Sequence, residues 1–181
     1  MVGSAWRDHR FSEHSNDYVD AMSSRCARIW EILSSSPRKL PTHSLFQVWK
    51  HIVRCSFLSL LEGFSKVSTT TMEGRALMSM DLATYFAGCN PDAVENRIQG
   101  IVRVSPESPP SISAIEDMQY VDAYVKAFYF PEEDLISWIE SNAEKYHLRH
   151  MIGLLSCAAA ECGWKESKVQ NLMKKVQAMY N

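Results

Sequence analysis

No run of about eighteen apolar residues, the length needed to cross a bilayer, occurs in this sequence, and no apolar segment follows Met1. The richest apolar stretch, 57–61, is far too short to span, so the chain reads as peripheral to membranes at most. Cysteine is scarce and odd in number: Cys26, Cys55, Cys89, Cys157 and Cys162 are scattered through 181 residues. That excludes a disulfide scaffold and fits a reducing, cytoplasmic setting. A charge excess is missing too. With 19 basic against 21 acidic side chains, the net charge of -2 supplies no general attraction to phosphate backbones, so nucleic acid is not an expected partner. Glycine never gathers into a phosphate-binding loop: Gly63 and Gly74 stand alone, and no Lys-Ser or Lys-Thr follows a glycine turn. Hairpin dipeptides between alternating apolar segments, clustered β-branched residues and repeats of 20 to 50 residues are all absent, which excludes a sheet protein and a solenoid.

What the sequence does have is 46% hydrophobic residues, enough for one proper core, arranged largely at helical spacing. Residues 1–15 show no period around Trp6 and Phe11 and are expected to form a disordered arm, leaving 16–181 as one helical domain. Asn16 is placed to cap a helix whose apolar positions are Tyr18, Met22, Cys26, Ile29 and Leu33, stopped by Ser34-Ser35-Ser36-Pro37. The longest pattern follows Pro41: Phe46, Trp49, Val53, Phe57, Leu60, Phe64 and Val67 keep a three-four alternation that marks a bundle or coiled-coil seam. Leu45, Val48, Ile52 and Leu61 widen the stripe, so the helix Leu45 to Val67 is expected to be central. Thr70 with Glu73 reads as a capping box opening a third helix with Ala76, Leu77, Met80 and Ala83 on one stripe, and Gly74 suggests a close backbone approach in its first turn.

Helix breakers then crowd between Gly88 and Ser113, predicting a long loop at about 88–112, with one short helix from Asn90-Pro91-Asp92 to Ile98. Ser113 with Glu116 reads as another capping box. Behind it Met118, Val121, Val125 and Phe128 form one face, which leaves Tyr120, Tyr124 and Tyr129 as candidate interface anchors. Pro131 and the acidic Glu132, Glu133 and Asp134 open a short helix that buries Leu135, Trp138 and Ile139. A helix from His147 to Glu161 ends at Gly163, with Leu148, Met151, Ile152 and Leu155 inward. A final helix from Trp164 to Tyr180 carries Val169, Leu172, Met173, Val176 and Tyr180. The fold class is therefore all-α, a bundle of about six or seven helices.

Chemistry-bearing residues do not assemble into a catalytic pattern. His147, His150, Cys157 and Cys162 have zinc-ligand chemistry, but their spacing is not that of a knuckle, and core cysteines beside surface histidines are the plainer reading. No cysteine or serine sits in a strand-turn-helix elbow, and the acidic trio is a solvated helix start. No catalytic residue, cofactor or metal is expected, and the chain does not read as an enzyme.

Two blocks carry a resemblance. Leu61-Glu62-Gly63-Phe64-Ser65-Lys66-Val67 with the segment Met72 to Leu82, and Tyr120 to Phe130 continuing through Glu133 to Ile139, resemble in order and spacing the C-terminal domain of the syndetin family. The resemblance runs from about Leu45 to Tyr180 and departs between Gly88 and Ser113. The motif positions are Glu73, Gly74, Arg75, Leu77, Asp81, Tyr124, Lys126 and Trp138. It implies a CATCHR-like tether-subunit domain: a non-catalytic part of the endosome-associated recycling protein complex, acting in vesicle tethering during endocytic recycling. The partners it implies are the other tether subunits, SNARE proteins and a small GTPase. The implied location is cytoplasmic, at recycling endosomes and the trans-Golgi network, peripheral to membranes through those partners. Apart from the resemblance, a free-standing helical adaptor or scaffold fits the same pattern, with a metal-dependent enzyme a more distant alternative.

Overall fold

The helix with the broadest apolar stripe organises the bundle. The computed structural model describes residues 15–35, 40–89 and 114–180, and among these the chain forms seven helices and no strand. They are α1 (Asp17–Ser35), α2 (Thr42–Ser65), α3 (Met72–Cys89), α4 (Ile115–Ala127), α5 (Glu132–Asn142), α6 (Leu148–Cys162) and α7 (Glu166–Ala178). The expected arm up to residue 14 and the expected short helix from Asn90 lie outside the described residues.

Pro41 stands at the N-cap of α2, where its missing N–H leaves no bond unmade. From there Trp49, Val53, Phe57, Leu60, Leu61 and Phe64 are buried in turn, with Val67 just beyond the helix. Packing against α1, α3, α4 and α6 covers this stripe from several sides, as a central helix requires. The seam begins one turn later than the spacing predicts. Phe46 is 38% exposed, because the first turns of α2 have few neighbours, and Trp49 is the first buried residue, edge-on to Trp30 of α1 with ring centroids 5.3 Å apart. Trp30 takes the inward role predicted for Ile29, which is exposed.

Two further expectations shift by a residue. Thr71, not Thr70, caps α3: its Oγ1 accepts the Gly74 N–H at 3.1 Å, while the Thr70 hydroxyl turns to the Thr71 carbonyl. With the cap displaced, the buried face of α3 becomes Gly74, Arg75, Leu77, Met78, Asp81, Leu82 and Tyr85, and Ala76 and Ala83 face solvent. The N-cap of α4 is Ala114, which offers no side-chain acceptor, in place of the capping box predicted from Ser113. α3 also continues through Gly88 and Cys89, into the region read as loop.

The remaining helices follow their predicted stops. Pro131 precedes α5 with three acidic side chains in its first turn, and Gly163 closes α6 in the left-handed region at φ 61°. At Gly153 of α6 two backbones approach closely, and any Cβ there would collide with the Ser65 carbonyl at the end of α2.

Removing a side chain from the middle of the α2 seam tests this arrangement. Phe57 is fully buried and edge-on to Tyr85 at 5.2 Å, so Phe57→Ala is expected to lower unfolding stability by about 3–5 kcal/mol. Phe46→Ala is expected to stay within about 0.5 kcal/mol. Urea midpoints measured on both proteins check the pair.

Candidate functional site: buried polar ties and an aromatic girdle

Polar side chains enclosed by the bundle hold its helices in register. Asp81, fully buried in the middle of α3, is one such group. Its carboxylate accepts the Asn16 backbone N–H at 2.9 Å, the Asn16 side-chain amide at 2.8 Å and the Tyr18 hydroxyl at 2.6 Å. A buried carboxylate is tolerable only when its oxygens are bonded in this way. Asn16 does precede the helix it was predicted to cap, but its side chain is turned to Asp81. Burial, with the Asp81 charge adding to it, pushes the Tyr18 phenol far above its ordinary value, so Tyr18 keeps its proton and remains a donor.

One turn further along α3, Tyr85 joins three helices. Its hydroxyl donates to Ser56 Oγ of α2 at 2.5 Å and lies 3.3 Å from Cys26 Sγ of α1. At the other end of α3, the buried Arg75 pairs with Glu161 near the end of α6, and its guanidinium lies 5.6 Å from the centre of the Tyr129 ring.

A second tie links α2 to α6. His150, read from the sequence as a surface histidine, is 3% exposed, with Nε2 3.0 Å from Glu62 Oε2. It lies on the inner side of α6 beside Met151. Arg149 Nε reaches the same Glu62 oxygen at 3.0 Å and Lys66 Nζ the other at 3.3 Å. Burial lowers the His150 pKa against the pull of Glu62, so the neutral ring donates from Nε2. The His150 bond, helped by Lys66 and Arg149, holds the Glu62 carboxyl below the usual range.

Around His150 runs a girdle of rings. Tyr120 stacks on Tyr146 at 4.4 Å and 9° between planes, and Tyr124 meets Phe128, Trp138, Tyr146 and His150 at 5.6, 6.5, 5.7 and 6.3 Å. Each hydroxyl in it finds a carbonyl: Tyr120 donates to Lys145, Tyr124 to His150, Tyr146 to Tyr120 and Tyr180 to Tyr146, all between 2.7 and 2.9 Å. These bonds let aromatic rings be buried without stranding a polar atom.

The candidate interface tyrosines thus have different surroundings. Tyr124 has no exposed surface, because α4 turns it into the girdle, and this corrects its reading as a side chain left outside the core. Tyr120 is half-buried in the same girdle, and Tyr129, just past the end of α4, is 42% exposed. Among the motif positions, Gly74, Arg75, Leu77, Asp81 and Tyr124 are buried. Trp138 is half-buried against Tyr146, Glu73 is exposed, and Lys126 lies on the surface paired with Asp122 at 2.6 Å.

The zinc-type residues do not converge. His150 faces Glu62, Cys157 is buried and Cys162 is exposed, and no group of three or more His, Cys, Asp or Glu side chains among the described residues could hold a metal. Burial pushes the thiols of Cys89 and Cys157 up to about 11, which disfavours the nucleophilic thiolate. The pairings of Asp81 with Asn16 and of Glu62 with His150 were not foreseen; the one signal for the first was a carboxylate at a core position of α3.

An all-α bundle whose enclosed polar groups tie helix to helix is the class of domain that these contacts define. The profile of the syndetin C-terminal family matches residues 1–177, and the chain belongs to that family. It is 24% identical over 160 residues to syndetin of Mus musculus, covering 86% of this chain and 14% of the mouse protein. To syndetin of Gallus gallus it is 23% identical over 158 residues, covering 86% and 15%. The chain therefore spans about one-seventh of the length of the curated relatives it matches. No solved structure matches it.

Removing the Asp81 carboxylate leaves three donors without an acceptor. Asp81→Ala is expected to lower stability by on the order of 3 kcal/mol and to speed amide exchange through α1 above all, measured by hydrogen exchange with mass spectrometry. The Glu62–His150 tie predicts a pH dependence. With a lowered pKa, folded His150 takes a proton less readily than the unfolded chain does, so stability falls as pH drops below about 6.5. The Glu62 contribution, present above about 4.5, is lost as pH falls through its lower folded value. Urea midpoints between pH 7.5 and 5.5 are expected to decline for the natural protein, and to decline less for His150→Gln.

Proposed function

We propose that this chain is a non-catalytic docking domain of a vesicle tether, working in endocytic recycling through protein-protein contacts. The match of the syndetin C-terminal profile to residues 1–177 is the observation that carries the reading. The structure supports it with a helical bundle held rigid by internal polar ties, a suitable platform for presenting a surface to other helical proteins. The proposed partners are sister subunits of the tethering complex, SNARE proteins and a small GTPase. The proposed location is the cytoplasmic face of recycling endosomes and the trans-Golgi network, reached through those partners; among the described residues no helix is long and apolar enough to cross a membrane.

Within this reading, Tyr129 is the candidate anchor for a sister subunit. It stands exposed beside Phe130, which is 38% exposed, at the turn between α4 and α5, with the Arg75 charge near its ring. Exposed aromatics next to arginine are common centres of binding energy. Tyr129→Ser is expected to leave the melting temperature within a few degrees while reducing capture of tether subunits in pull-downs from cell extract. Tyr124→Ser, by contrast, is expected to lower melting temperature and capture together. Undiminished capture by Tyr129→Ser removes the anchor, and failure of the natural chain to capture any tether subunit sinks the functional reading.

A further inference from the structure

We infer that Cys26 of α1 and Cys89 of α3 are a redox pair, two thiols that join in a reversible disulfide and lock α1 onto the bundle. The inference stands apart from the docking reading, because it rests on what surrounds one hydroxyl.

That hydroxyl belongs to Tyr85, whose side chain is fully buried. It lies 3.3 Å from Cys26 Sγ and 2.5 Å from Ser56 Oγ. Ser56 in turn donates to the Val53 carbonyl at 2.5 Å. Its oxygen therefore accepts from Tyr85, and the Tyr85 oxygen is left to accept from the Cys26 thiol. Cys89 follows Tyr85 by one turn on the same face of α3. Burial pushes its thiol up to about 11, a hydrogen bond with the Tyr85 hydroxyl works in the opposite direction, and the nearness of Cys26 adds to the rise. Two sulfurs from two helices thus sit around a single oxygen.

The backbones are close here. α1 and α3 pack directly together, and beside the pair the side-chain layer is thin: a Cβ at Gly88 would stand 3.8 Å from Ser23 Oγ. Both cysteines are half-buried at the edge of the core. A small oxidant can reach them there, and rotation about χ1 is the motion that brings sulfur to sulfur.

The co-reactant is a hydroperoxide. Cys89 resists ionisation, so the first step falls to Cys26, whose sulfur attacks the peroxide O–O bond, becomes a sulfenic acid and releases one water. The Cys89 sulfur then attacks the Cys26 sulfur. The S–S bond forms as the S–O bond breaks, and the hydroxyl leaves with the Cys89 proton as a second water. Two thiols are oxidised by two electrons, and hydrogen peroxide is reduced to two waters. Thiol reductants reverse the bond by exchange.

What the bond controls is α1. Val19 is the one fully buried residue of this helix, and its polar tie to Asp81 lies at the N-terminal end, through Asn16 and Tyr18. A crosslink at Cys26, about two turns beyond Tyr18, pins the middle of the helix as well.

The test uses the full chain, reduced, freed of reductant and treated with hydrogen peroxide in small excess, then blocked with N-ethylmaleimide and digested without reductant. Peptide mass mapping is expected to show Cys26 joined to Cys89, with the link lost on adding dithiothreitol. Hydrogen exchange in α1 is expected to be about tenfold slower in the oxidised chain than in the reduced one. Cys89→Ser is expected to stop at a Cys26 sulfenic acid, trapped by dimedone, with exchange in α1 unchanged by peroxide. If that variant melts early, the mapping of the natural chain decides alone. The inference is overturned if both thiols survive peroxide, or if either joins another cysteine or proceeds to sulfinic acid instead. It is overturned equally if the link forms and α1 exchanges as before.

Discussion

A helix whose apolar residues extend around much of its circumference has to be covered from several directions at once, and α2 is that helix. Phe57, Leu61 and Phe64 are sealed from water only because α1, α3, α4 and α6 all pack against it. Burial of this kind is the main favourable term in folding, so the order of the other helices around the bundle follows from the width of the α2 stripe. Where the neighbours run out, near Phe46, the burial stops as well.

Apolar packing of this sort does not by itself choose among similar arrangements, and the enclosed polar groups narrow the choice. Asp81 meets donors from the start of α1, Arg75 meets Glu161 from α6, and His150 meets Glu62 from α2. A slide of one helical turn would separate each pair and leave a buried charge or a buried donor unanswered, a penalty of several kcal/mol for a charge. The girdle of Tyr120, Tyr124, Tyr146 and Trp138 works alongside them, combining ring contact with hydroxyl-to-carbonyl bonds that span α4 to α7.

Much of the architecture was legible because it depends on periodicity and on chain stops. The α2 seam, Pro131 before α5 and Gly163 after α6 all act locally, and local chemistry can be read from a single sequence. Caps were less legible: Thr70 and Thr71 are both acceptable, and the choice depends on which hydroxyl reaches the Gly74 amide. Side-chain fate was hardest at Tyr124 and His150. Both have polar atoms that a pattern assigns to water, and each meets a partner distant in the chain: the Tyr124 hydroxyl donates to the His150 carbonyl, and His150 Nε2 meets the Glu62 carboxylate. Which of the candidate tyrosines stays exposed was not legible, since helical spacing cannot say which face a neighbour leaves open: Tyr129 is exposed and Tyr124 is not.

Gly153 bears on how this bundle can move. With its α-carbon lodged against the Ser65 carbonyl, α6 sits on α2 like a pawl in a notch: the two backbones touch where side chains ordinarily act as rollers between helices. Sliding of packed helices past one another works by small rotamer changes in an intervening side-chain layer, and here that layer is missing at one point. α2 and α6 should accordingly travel as a single stiff strut.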